Sequence, residues 1–209
     1  MRNLKCNQLI NDIRKDHYTH NILYTIMGGL LGALGLLYNS NPVILGSMLV
    51  SPLGSPLFGA ISGIITKESK YMLSGVSNFI LLATICIIIG MIIGFVNDIY
   101  LLFKTPTSEM KKRVTTKHMI INILIALISG VTLAFAKLNR DFVVIAGINL
   151  TVSILPPLVN AGLYYGKYLI NKVTDKDKLL RSGTTSLILA LANIIGIIIT
   201  AYITLRIIC

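Results

Sequence analysis

The sequence predicts an all-α integral membrane protein with about six transmembrane helices, arranged as two inverted three-helix repeats with broken second and fifth helices. Three observations carry that prediction. Long stretches contain no charge, polar and small residues recur between the two halves of the chain, and prolines fall in the middle of corresponding stretches.

No Asp, Glu, Lys or Arg occurs from His17 to Thr66, Tyr71 to Asn97, His118 to Ala136, Phe142 to Gly166, or Ser182 to Leu205. A hydrocarbon core of about 30 Å takes roughly 20 apolar residues at about 1.5 Å per residue, so the first stretch holds two spans and the others one each. This places spans at 21–38, 42–65, 71–97, 118–137, 142–166 and 182–206. The chain divides into a polar N-terminal tail (1–20), a first repeat (21–97), a basic linker (98–117) and a second repeat (118–209). With 13% charged residues, 54% hydrophobic residues and a mean hydropathy of +0.77, too little polar surface is left for a soluble fold. The first apolar run continues into a second and lacks a small-residue cleavage site, so it reads as mature structure rather than a signal peptide.

Local punctuation fits these spans. Asn39-Ser40-Asn41-Pro42 closes the first and opens the second, with Pro42 suited to a first helical position. Asp141 can cap the fifth span and Ser182 the sixth. Lys104 to Lys117, with Pro106 and Met110-Lys111-Lys112-Arg113, reads as a surface helix or loop. The net charge of +11 sits in loops and tails, not on one face with aromatics, so the expected partners are the bilayer and its anionic headgroups, with no nucleic acid. Nine Lys and Arg fall on the side of the N-terminus and ten on the other, so the positive-inside rule does not choose an orientation. Cys6, Cys86 and Cys209 show no metal spacing, and no disulfide framework, metal or cofactor is expected. Cys209 lacks the downstream residues of a prenylation box.

The halves match when the third span is laid on the sixth, Ser74-Gly75 on Ser182-Gly183 and Ile80-Leu81 on Ile188-Leu189. The second falls on the fifth in the same way: Gly46 on Gly147, Leu49 on Leu150, Pro56-Leu57 on Pro157-Leu158 and Ala60 on Ala161. Three spans per half is an odd number, so the second half enters from the opposite side, the inverted repeat that builds many transporters.

The middle spans carry the candidate site. Ser47, Ser51, Pro52, Ser55 and Pro56 in one half, and Asn149, Thr151, Ser153, Pro156, Pro157 and Asn160 in the other, bring hydroxyls, amides and proline breaks to the depth of the bilayer centre. Each proline removes a backbone donor, and the freed groups must face protein or a wet cavity. Two converging breaks would form a substrate or ion site without a charged side chain. The competing reading is structural: kinks shape the bundle and neighbouring side chains repair the lost bonds.

The runs Asn39-Ser40-Asn41-Pro42-Val43-Ile44-Leu45-Gly46-Ser47-Met48-Leu49-Val50-Ser51-Pro52-Leu53 and Ala146-Gly147-Ile148-Asn149-Leu150-Thr151-Val152-Ser153-Ile154-Leu155-Pro156-Pro157-Leu158 resemble the signature stretches of the uncharacterised hydrophobic membrane family called domain of unknown function 389. The sixth span, Leu189 to Ile197, is similar to that family's closing helix. The resemblance covers most of Asn21 to Thr204 and implies a fold and a membrane setting, with no established substrate. Many relatives carry an additional soluble domain ahead of the membrane part; here about twenty polar residues precede the first span, so whatever that domain binds is expected to be absent.

Asn78, Asn122 and Asn193 read as interhelical hydrogen bonds, and His17, His20 and His118 as solvated or headgroup-facing. The pairs Gly28/Gly32, Gly59/Gly63, Gly90/Gly94 and Gly162/Gly166 have GxxxG spacing, which suits close helix packing within the chain or in a homo-oligomer. The expected function is membrane transport of a small solute or ion, as transporter or channel. The alternative is a non-transporting scaffold or assembly protein. No Asp or Glu lies in a span for a proton relay, and no nucleophile with a base, carboxylate pair or metal set points to an enzyme.

Overall fold

Within hydrocarbon the backbone has no water to bond with, so a helix, which satisfies its own amides, is the natural local structure. The structure, a computed structural model, describes residues 18–138, 143–170 and 176–208, and every regular element among them is a helix. In chain order these are α1 (Tyr18–Leu37), α2 (Asn41–Val50), α3 (Gly54–Thr66), α4 (Ser69–Tyr100), α5 (Ser108–Lys112), α6 (Thr116–Leu138), α7 (Val143–Ile170) and α8 (Lys176–Ile208). Each predicted span falls on a helix, the second on the pair α2 and α3. Two helices, α4 and α8, are long and apolar enough to cross a membrane, and the pair α2–α3, bent by 53°, makes a third if taken as one span. The polar tail as far as His17, the cap at Asp141, and Cys209 lie outside the described residues.

The first turn follows the predicted punctuation. Asn39 takes a left-handed φ of 59°, Ser40 is the extended N-cap of α2, and Pro42 sits in that helix's first turn. Gly35 then faces Ile44 and Gly28 faces Ser51, so α1 and α2 run antiparallel. Gly63 faces Met72 and Gly75 faces Pro56 and Ala60, which makes α3 and α4 antiparallel too. Helix α7 occupies the centre, with nearly every residue from Thr151 to Tyr164 buried. It runs parallel to α4: Gly90 lies against Val159 and Gly162, and Gly166 against Met91 and Phe95. Near their C-terminal ends Lys167 pairs with Asp98 at 3.4 Å.

The burial pattern is inverted relative to a soluble bundle. Ile80, Ile88 and Ile92 on α4, Ile120, Leu124 and Ile128 on α6, and Ile188, Leu191, Ile195 and Ile199 on α8 form exposed apolar stripes. Thr25, Ser47, Thr151, Ser153, Asn160, Ser186 and Asn193 are buried. Such continuous apolar surface belongs against lipid.

Two expectations need correction. The fifth helix is not broken, because α7 passes through Pro156 and Pro157 without interruption. Nor does the linker lie at the surface throughout, although most of its residues are exposed as expected. The α5 segment tucks under the end of α1, with Glu109 and Met110 buried. Thr107 Oγ1 donates to Leu36 O at 2.7 Å and accepts from Met110 N at 3.3 Å. Asn39 Oδ1 accepts from Ser108 Oγ at 2.8 Å and from Glu109 N at 3.0 Å. The polar chain enters because each of these groups finds a partner there.

The glycine faces are occupied within the chain: Gly28 and Gly32 by Ser47 and Ser51 or their neighbours, Gly63 by Met72, and the pairs on α4 and α7 by each other. A Cβ on Gly162 would strike the Ile87 carbonyl oxygen, a backbone atom that no rotamer change can move. Gly162→Leu should therefore lower unfolding stability in detergent by about 1–3 kcal/mol or more. Gly46→Leu, which meets nothing within 4 Å, should leave the thermal midpoint close to that of the parent.

Candidate functional site

At the first proline the helix does break. Pro52 disfavours the α conformation in the residue before it, and Ser51 is extended, with φ −81° and ψ 125°. The Ser51 amide still reaches Ser47 O at 3.2 Å, while Ser55 N turns back to Pro52 O at 3.2 Å. The Ser51 carbonyl, left without a helical donor, accepts from Thr151 Oγ1 of α7 at 3.3 Å. Ser47 spends its hydroxyl on Ile44 O at 2.6 Å, and the hydroxyls of Ser51 and Thr25 are buried with no hydrogen-bond partner. Ser55 and Pro56 open α3, Pro56 with its carbonyl against Gly75.

At the second pair the outcome differs. Pro156 and Pro157 cannot donate to the carbonyls of Val152 and Ser153. Asn193 Nδ2 of α8 takes the Ser153 carbonyl at 2.7 Å, and the helix continues. Asn160, one turn on, donates to Ser186 Oγ at 2.7 Å and to Met110 O of the linker at 3.2 Å. Asn149 lies in α7, but its side chain is outside the described residues. Of the predicted site residues, Ser51 thus meets Thr151, while Ser153 and Asn160 bond to α8 and to the linker.

Another face of α7 carries a cavity of about 140 Å3, lined by Val152, Pro157, Ile121, Asn122, His118, Glu109, Lys112 and Arg113. At about 1.5 Å per residue, Pro157 lies about 15 Å along α7 from Lys167, well inside that end of the bundle. Among the described residues neither the His118 ring nor the Asn122 amide has a side-chain hydrogen-bond partner, so the interhelical bond expected of Asn122 is not seen there. Asn193 does perform the bonding role expected of it.

Glu109 is the acidic member of the lining. Lys112 pairs with its Oε1 and Arg113 with its Oε2, the latter at 3.1 Å. The Asn41 amide, oriented with its nitrogen towards Glu109, donates to both oxygens at 3.0 and 3.1 Å. Burial pushes the carboxyl upwards, but the hydrogen bonds from Lys112 and Arg113 outweigh it and hold Glu109 below its ordinary value. Sequence reasoning passed over Glu109 and Arg113. The available signal was an acid with cations three and four residues later, Glu109, Lys112 and Arg113, in an otherwise basic linker. Among the described residues no group of three or more His, Cys, Asp or Glu could hold a metal ion.

Two measurements check these interactions. Asn193→Ala removes the amide that the Ser153 carbonyl accepts from, and should cost about 1 kcal/mol in detergent unfolding. A depressed carboxylate stabilises the fold above its unfolded pKa and loses that contribution as pH falls through its folded pKa. The thermal midpoint of the parent should therefore exceed that of Glu109→Gln at neutral pH, with the gap closing below about pH 4.5.

The family model described as domain of unknown function (DUF389) matches residues 48–199, from α2 through most of α8. An uncharacterized protein of Methanocaldococcus jannaschii is 24% identical over 181 residues, which is 87% of this chain and 52% of that protein. The chain therefore spans about half the length of this relative. No solved structure matches. With most of its length inside the family match, including the broken helix, the central helix and the cavity's α6 and α7 walls, the chain belongs to the DUF389 family.

Proposed function

We propose that the chain is a multi-pass membrane transport protein, transporter or channel, for a small solute or ion. In this reading all six helical stretches cross the bilayer as two inverted repeats, with anionic headgroups around the basic ends. Support comes from the alternating directions of neighbouring helices and from the exposed apolar stripes. The observation that carries the proposal is the cavity beside Val152 and Pro157, lined also by His118 and Asn122, whose side chains have no partner among the described residues, at the level where Pro156 deprives the Val152 carbonyl of its helical donor. A wet, polar cavity at the depth of a broken hydrogen-bond ladder is the physical requirement for moving a polar solute through hydrocarbon. The site shifts from the eleven hydroxyl, amide and proline positions towards the linker face of α7. The Ser51–Thr151 contact remains as a second polar point.

The scaffold reading draws on two other observations, the repair of the Ser153 carbonyl by Asn193 and the backbone seam between α4 and α7. A homo-oligomer would use faces other than these glycines. Catalysis is not part of the proposal.

Reconstituted liposomes separate the readings. Flux of a small solute or ion should exceed that of protein-free liposomes, fall towards background in Val152→Phe, which fills the cavity, and fall in Pro52→Ala, which restores an amide to the broken helix. Folded protein with no flux for neutral, cationic or anionic solutes would leave the scaffold.

A further inference from the structure

We infer that the cavity between the linker, α6 and α7 binds a small oxyanion of the phosphate class. This deepens the transport reading of the same cavity by naming its ligand chemistry.

The first argument is charge. Lys112 and Arg113 face a single carboxylate, Glu109, so these three side chains give the lining one excess positive charge. Glu109 is not available to hold a cation, because Lys112, Arg113 and the Asn41 amide occupy both of its oxygens. Its role is to position Arg113. A partly desolvated cationic surplus is relieved by an incoming anion and worsened by a cation.

The second argument is the set of donors left over. Every described side-chain hydrogen bond of Arg113 leaves from Nη1, to Glu109 O and Oε2, which keeps Nη2 and Nε unspent among the described residues on a side chain only 13% exposed. A guanidinium with two adjacent free N–H groups matches the oxygens of a tetrahedral oxyanion. Across the cavity, Asn122 and His118 can add two more donors. Both lie in the first two turns of α6, whose aligned peptide dipoles present a positive end to the same space. Phosphate oxygens can come from free inorganic phosphate or from a lipid headgroup reaching in from the linker side.

The test uses the full chain in detergent micelles, with thermal unfolding followed as inorganic phosphate or sulfate is titrated against chloride at equal ionic strength. A saturable rise in the midpoint is expected with the oxyanions. It should be lost in His118→Ala and Asn122→Ala, which leave the Glu109 cluster intact, weakened in Arg113→Lys, and kept in Lys67→Gln at the far end of α3. A second arm replaces free anion with vesicles of phosphatidylglycerol or of phosphatidylcholine. A shift seen only with phosphatidylglycerol, and lost in the same variants, assigns the phosphate to a headgroup. No shift beyond chloride in either arm, or shifts that survive His118→Ala and Asn122→Ala, would overturn the inference. Flux of a neutral or cationic solute without oxyanion binding defeats this inference and spares the transport reading; binding without any flux does the reverse.

Discussion

A carbonyl oxygen at membrane depth has no solvent to fall back on, and this constraint decides what each proline in the chain does. Pro156 and Pro157 sit in the central helix against which α4 and α8 pack, so a break there would disturb both interfaces. The helix stays whole because α8 supplies an amide, Asn193, to the orphaned Ser153 carbonyl at 2.7 Å. At Pro52 the outcome is different. The chain opens instead, Ser51 extends, and its carbonyl turns to Thr151 of that same central helix. One chemical problem thus has two local solutions, and α7 takes part in both.

The helical layout was readable because charge is excluded from hydrocarbon far more strictly than any residue type is required in it. The gaps between charges locate the helices to within a few residues, except where α7 and α8 extend through Lys167 and Lys176 beyond the apolar core. Asn39 to Pro42 gave the first turn correctly, since its signals are local. What the sequence could not settle was whether a proline breaks its helix, which depends on a partner 40 residues away in the case of Ser153 and Asn193. The charged part of the cavity lining escaped the sequence reading for the same reason, although Pro157 of that lining was in it. Glu109 to Arg113 read as soluble linker by charge, yet those charges satisfy one another and the Asn41 amide, which lets the segment enter the bundle.

The linker therefore has a role that its composition conceals. Its hydrogen bonds to Leu36 and Asn39 attach it to the first half, and Asn160 attaches it to the second. Its ion cluster supplies most of the charge in a cavity whose far wall is α7. A polar lining built this way takes its carboxylate and its lysine and arginine from the linker, which agrees with the charge-free stretches of the helices around it.

The seam between α4 and α7 has a mechanical consequence. Gly90, Gly94, Gly162 and Gly166 seat backbone on backbone, and the residues one turn beyond them, Cys86, Asp98, Leu158 and Ile170, all carry side chains. Sliding either helix by one turn would drive a side chain into a slot that only hydrogen now fills. The two helices are consequently locked in axial register along this line, and a sliding of one past the other is the motion the seam forbids.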